Sequence, residues 1–148
     1  EEAEIVAVIG GPCRNVPLHE AAGCVFGYTC GNDVSARVWQ KGDLTWWRAK
    51  ASDTFAPLGP YLVTGLVPAD LTAIGRVNGR EVQRCSPRDM FFDVPELVSW
   101  ISRSIALEPG DLVYTGTSGS PAELADGDVV EVEIAGIGVL TNPVRAGA

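Results

Sequence analysis

Residues 73–84 read Ala73-Ile74-Gly75-Arg76-Val77-Asn78-Gly79-Arg80-Glu81-Val82-Gln83-Arg84. Two short runs, Ala73 to Val77 and Glu81 to Arg84, flank Asn78-Gly79, the dipeptide best able to supply the positive-φ residues of a two-residue turn. The stretch predicts an antiparallel hairpin. The tail carries a similar signal: Val130, Val132 and Ile134 alternate with Glu131 and Glu133, the pattern of a strand with one apolar and one polar face. Gly136 and Gly138 then turn the chain into a last strand ending at Asn142-Pro143.

Working outward, Glu4 to Ile9 is an apolar strand closed by Gly10-Gly11-Pro12. Val25 to Cys30 is a second, with Gly31-Asn32-Asp33 breaking its period, and Gly59 to Thr64 is a third. A short helix is expected from Pro17 to about Gly23, and a helical turn from Ser35 to Gln40. Asp93 with Glu96 three residues on forms a capping box with Pro95 in the first turn. Val94, Leu97, Val98, Ile101 and Ile105 then repeat at helical spacing until Pro109-Gly110, after which Asp111 to Thr115 resumes as a strand. Polar loops are expected after Gly31, around Lys50 and at Thr115-Gly116-Thr117. With no repeat or linker, residues 1–148 read as one β-rich α+β domain with few short helices.

Composition narrows the functional classes. Apolar residues at 46% and charged residues at 20% belong to a chain that folds around a core. No apolar run approaches the roughly 18–20 residues of a membrane span, so no membrane role is expected. A net charge of −8 with scattered Lys and Arg argues against binding nucleic acid. Cys13, Cys24, Cys30 and Cys85 lack CxxC spacing and read as inert core thiols of a reduced, cytoplasmic-type protein. The chain begins at Glu1 rather than methionine, which leads us to expect an upstream segment.

Four stretches could carry chemistry. Glu2 and Glu4 stand at i and i+2, so alternation places both carboxylates on one face, roughly 6.5–7 Å apart. Neighbouring like charges are unfavourable unless water or a cation separates them, and hard cations take carboxylate oxygens. A terminal E-x-E taken alone is more usually an ordinary solvated strand face. Gly31-Asn32-Asp33 could present a carboxylate or simply turn; Lys50 could serve a site or solvent; Thr115-Gly116-Thr117 could offer N–H groups to an anion or only a bend.

Together and in order these stretches resemble the fumarylacetoacetate hydrolase family. The likeness runs through E-A-E-I-V-A-V-I-G, V-F-G-Y-T-C-G-N-D-V-S-A-R, R-A-K-A-S-D-T-F-A-P-L-G-P, L-E-P-G-D-L-V-Y-T-G-T and G-D-V-V-E-V-E-I-A-G-I-G-V-L-T-N-P-V. The resemblance implies a mixed β-sandwich roll, typically a homodimer. It implies that Glu2, Glu4 and Asp33 hold Mg²⁺ or Mn²⁺, that Lys50 is catalytic, and that Arg37, Gln40 and Thr117 contact substrate. Val38, Ala51 and Ser118 depart from the residues common in the family, and bear on substrate identity more than on metal binding. His19 does not match the family's catalytic histidine, which lies on an upstream segment; it reads as an exposed helix-start residue.

A dication on three carboxylates leaves positions for a 2-oxo or 2,4-dioxo acid, whose enolate it would stabilise. Hydrolysis of a C–C bond in an acylpyruvate-type substrate is the leading expectation. Isomerisation or decarboxylation of a 2-hydroxydienoate or 2-oxo diacid from aromatic catabolism is the alternative. A non-catalytic metal-binding module is a third reading.

Overall fold

A computed structural model describes residues 1–146, and the chain forms two four-stranded antiparallel sheets. The first has the order β3-β2-β1-β6, with β1 Ala3–Ile9, β2 Val25–Asn32, β3 Leu58–Val63 and β6 Leu112–Tyr114. The second has the order β5-β4-β7-β8, with β4 Ala73–Val77, β5 Arg80–Cys85, β7 Val129–Ile134 and β8 Gly138–Pro143. Among the described residues four short α-helices decorate them: α1 Leu18–Ala21, α2 Arg37–Gly42, α3 Trp47–Ala51 and α4 Val94–Ser102. The expected β-rich sandwich with few helices is therefore present.

The hairpin forms as the sequence requires. Asn78 and Gly79 take φ values of 51° and 76°, and Gly75 lies opposite Gln83 across the pair. In β7 the apolar face is buried at Val130, Val132 and Ile134, as its alternation predicts. Every residue of β1 is buried. Ala3, Ile5, Ala7 and Ile9 face the common core with Val132, Ile134 and Leu140 of the second sheet. Alternation turns Glu4, Val6 and Val8 to the opposite face of β1.

Three local expectations are corrected. β2 runs through Gly31 and Asn32 instead of breaking there, because Gly31 pairs with Glu4 on one side and Leu58 on the other. The helix after Asp93 has its capping box but stops at Ser102, well before Pro109. Its last turn is taken over by the loop after β1: Asn15 N–H donates to Ser102 C=O (2.9 Å) and Val16 N–H to Ser102 Oγ (3.0 Å). Ile105 consequently lies outside the helix and is exposed. Lys50 sits on α3 and not in a polar loop; Ala36 N–H donates to Ala49 C=O (2.9 Å) and ties α3 to the start of α2.

The cysteine reading is also corrected in part. Cys30 and Cys85 are free and buried, but Cys13 and Cys24 are paired as a disulfide with Cα atoms 6.4 Å apart. The bend at Gly10-Gly11-Pro12 brings them together, closed by Gly10 N–H on Cys24 C=O (2.8 Å). This pairing removes the support that inert thiols lent to a reduced compartment. No helix among the described residues is long and apolar enough to cross a membrane.

Gly31 is the tightest point of the first sheet. A Cβ there would run into Val6 Cγ2 and lie 2.7 Å from Tyr114 Cε1. Gly31→Ala is expected to destabilise the protein by about 1–3 kcal/mol through overpacking, read from the midpoint of urea unfolding. An unchanged midpoint would mean that the β1–β2–β6 packing described here is wrong.

Candidate metal centre

The pairing of β1 with β2 assembles the site. Glu4 stands opposite Gly31 and Ala3 opposite Asn32. The Asn32 side chain accepts the Glu2 N–H (2.9 Å), and the Asp33 N–H donates to Glu2 C=O (2.9 Å). Glu2, Glu4 and Asp33 each bring a carboxylate oxygen to within 4.8 Å of the others. Glu2 and Glu4 are buried and Asp33 is half-buried. Three acids drawn from strands 30 residues apart could hold one cation between them.

Positive charge surrounds the cluster. The Lys50 ammonium lies 2.6 Å from Glu2 Oε2 and 2.6 Å from Asp33 Oδ2. Arg37 pairs with Glu2 Oε1 through Nη2 and donates from Nη1 to Gln40 Oε1 (2.7 Å). Ser35 Oγ donates to Glu2 Oε2 (3.1 Å), and the Gly116 N–H to Glu4 Oε2 (2.8 Å). Tyr114, on the neighbouring strand β6, donates its hydroxyl to Ala56 C=O (2.9 Å).

Proton affinities follow from these neighbours. Burial pushes the Glu4 carboxyl up, the Gly116 N–H opposes it, and the Asp33 and Glu2 charges raise it further, to about 7. Burial also raises Glu2, but Lys50 and Arg37 outweigh it and hold the group below the usual carboxylate range. Asp33 ends above that range, because burial and the Glu2 charge exceed the help from the same ammonium. Burial lowers Lys50, yet its hydrogen bonds to Asp33 and Glu2 prevail and keep it charged.

The structure thus gathers Glu2, Glu4, Asp33, Lys50, Arg37 and Gln40 into one neighbourhood. Thr117 is attached differently: its hydroxyl donates to Ala3 C=O (3.1 Å) and contacts Cys85 Sγ (3.2 Å). Glu2, Ser35 and Arg37 border a cleft of about 500 Å³, whereas Gly116 and Thr117 border another of about 260 Å³ with Phe92. His19 is exposed on α1 beside Glu20, as expected. Sequence reasoning missed Ser35 and Gln83 as supports, and left Asn32 and Gly116 in stretches that could serve a site or merely turn; the Gly116 N–H does serve an anion, the Glu4 carboxylate. Ser35 lies two residues after Asp33, and Gln83 shares its strand face with buried Cys85, so a polar residue on an inward position was the available signal.

A family model described as fumarylacetoacetate (FAA) hydrolase C-terminal matches residues 1–145. The crystal structure of 5-carboxymethyl-2-hydroxymuconate delta-isomerase from Mycobacterium smegmatis superposes with a TM-score of 0.95 at 47% identity, covering 99% of this chain and 59% of that one. Fumarylacetoacetate hydrolase from psychrophilic Exiguobacterium antarcticum gives 0.93 at 40% identity, covering 99% and 56%. The mitochondrial oxaloacetate tautomerase fahd2 of Xenopus laevis is 42% identical over 155 residues, 97% of this chain and 49% of its own. The chain spans about half the length of the curated relatives it matches.

The raised Glu4 carboxyl makes a pH-dependent prediction for metal-free protein. The folded state keeps this proton to about 7, whereas an ordinary glutamate releases it near 4.5. The stability it contributes is full below the lower value and is lost as pH rises through the higher one. In chelator, Glu4→Gln is expected to be more stable than wild type at pH 8 by of order 2–3 kcal/mol, with little difference near pH 4.5. Urea unfolding at both pH values checks this; a gap independent of pH would contradict it.

Proposed function

The chain belongs to the fumarylacetoacetate hydrolase family, and on that premise we propose that it forms the divalent-metal-binding core of an enzyme acting on 2-oxo acids through their enol form. Isomerisation or tautomerisation is the reaction this reading favours. The observation that carries it is the Lys50 ammonium 2.6 Å from both Glu2 and Asp33, within a cluster of three acids whose oxygens lie within 4.8 Å. All three donors are hard oxygens, which suits Mg²⁺ or Mn²⁺. Such a cation, when bound, withdraws electrons from a keto group and stabilises negative charge on its oxygen.

The chain's own residues supply the rest. Lys50 stays charged and contributes a fixed positive charge where an enolate oxygen develops. Arg37, steadied by Gln40, turns its guanidinium to the same cleft as Glu2 and suits a substrate carboxylate. The Thr117 hydroxyl holds the Ala3 carbonyl, so its help to a substrate comes through the loop it anchors. A proton shift between carbon and oxygen consumes no water; it needs a base to take the carbon-bound proton, and a charged lysine favours the resulting enolate without being that base. The isomerase and tautomerase names of two relatives support this reading. C–C hydrolysis of an acylpyruvate-type substrate is the second reading, supported by the hydrolase from Exiguobacterium antarcticum at 40% identity. Exposed Val38 on α2, Leu44 and Trp46 in the connection after it and Trp47 on α3 make this surface apolar, which supports a homodimer as the active form.

Enol absorbance tests the reaction directly. Full-length protein with Mg²⁺ is expected to speed keto–enol exchange of oxaloacetate without cleaving acetylpyruvate. Cleavage of acetylpyruvate alone would establish the hydrolase, and Mg²⁺ binding with neither change would leave only a binding module. Asp33→Ala should lose both Mg²⁺ affinity and activity while staying folded. Lys50→Met should slow turnover by about 10²–10³-fold with Mg²⁺ affinity nearly kept; near wild-type turnover would demote Lys50 to a structural cation.

A further inference from the structure

We infer that Gln83 is a positioning residue for the carboxylate cluster, an inference that rests on the metal reading above. Gln83 belongs to β5, in the sheet that carries none of the three acids, and is only 4% exposed. Both ends of its amide are committed. Oε1 accepts the Ala3 N–H at 2.8 Å, and Nε2 donates to Ser118 C=O at 2.7 Å. Ala3 is the residue between Glu2 and Glu4. Ser118 follows the loop in which Gly116 N–H donates to Glu4 and the Thr117 hydroxyl donates to Ala3 C=O. One side chain therefore fixes the backbone of the E-x-E strand and the loop that hydrogen-bonds its second glutamate.

The strand ladder does not supply this tie. Pairing of β1 with β6 spans Val6 to Val8 and ends before Ala3. The Gln83 amide takes the place of a strand partner where the carboxylates emerge. Its surroundings are built to hold it still. Gly75 lies directly opposite, and a Cβ there would come within 3.1 Å of Ala3 Cβ and 3.2 Å of Gln83 Cβ. Cys85, two residues along on the same face, accepts the Ser118 N–H at 3.3 Å and so holds the same loop residue a second time. Partners that orient metal ligands commonly set affinity by about ten- to a hundredfold without touching the ion.

Titration of full-length protein with Mn²⁺, read by the paramagnetic signal of the free ion, tests this without any substrate. Gln83→Leu and the more adaptable Gln83→Met remove both hydrogen bonds at similar volume, and each is expected to weaken Mn²⁺ binding about ten- to a hundredfold. Ser99→Ala removes a buried hydrogen bond to Val16 C=O away from the site and serves as a destabilised control that keeps wild-type affinity. Weakened binding in the Gln83 variants but not in the control supports the inference. Gln83 variants that lose stability yet bind Mn²⁺ like wild type overturn it and leave the metal reading standing. Wild-type protein that binds no Mn²⁺ overturns both.

Discussion

Three carboxylates held where they repel one another are the constraint around which this structure is arranged. Free side chains would separate, but the backbone of each is fixed. Glu4 is locked opposite Gly31, and Glu2 and Asp33 are joined by a main-chain hydrogen bond. The repulsion has to be met by other groups. Lys50 and Arg37 bring two positive charges, and Ser35 and the Gly116 N–H bring two neutral donors. Two cations against three acids, two buried and one half-buried, leave one negative charge unmatched, and buried charge without a partner is costly. The imbalance falls on Glu4, the group that keeps its proton to about 7.

Meeting that charge requires elements that are otherwise poorly motivated. α3 has five residues, no side-chain cap and a largely exposed surface, so little in it favours a helix alone. It is held by Ala36 N–H on Ala49 C=O and by the Lys50 ion pairs themselves. Tyr114 reaches from β6 to Ala56, linking the first sheet to the loop that follows α3. The cluster and the fold around it thus stabilise each other.

The parts legible in the sequence are those whose causes are local. Asn78-Gly79 specifies its turn by backbone sterics, the β7 alternation specifies a buried face, and Asp93 with Glu96 specifies a helix start. The ends of elements were less legible, because they are set from elsewhere: Ser102 by the Asn15 loop, and Asn32 by Ala3 of β1 on one side and the Pro57 carbonyl on the other. The same division runs through the site. Period two put Glu2 and Glu4 on one face, but Asp33 and Lys50 became candidates only through family resemblance. Their supports act across 33 residues for Ser35, 80 for Gln83 and 112 for Gly116, distances over which no periodicity carries information. The Cys13–Cys24 pair is invisible for the same reason, since the bend after β1 creates it.

Charge also bears on which chemistry the proposed site suits. A catalytic base must change its protonation within the reaction, and its affinity for a proton has to lie near the working pH. Lys50 is pinned in its charged form by two carboxylates, and Arg37 presents a guanidinium to Glu2. Both are therefore fixed positive charges whose favourable interaction grows as a substrate oxygen becomes negative, which is differential stabilisation of an enolate over its keto acid. Forming the enolate also needs a base for the carbon-bound proton, as attack by water needs one for the nucleophile, and neither of these cations is that base. On the proposed reading, these charges serve the enolate that tautomerisation, isomerisation and hydrolysis share, and the preference for the first two comes from the isomerase and the tautomerase among the relatives.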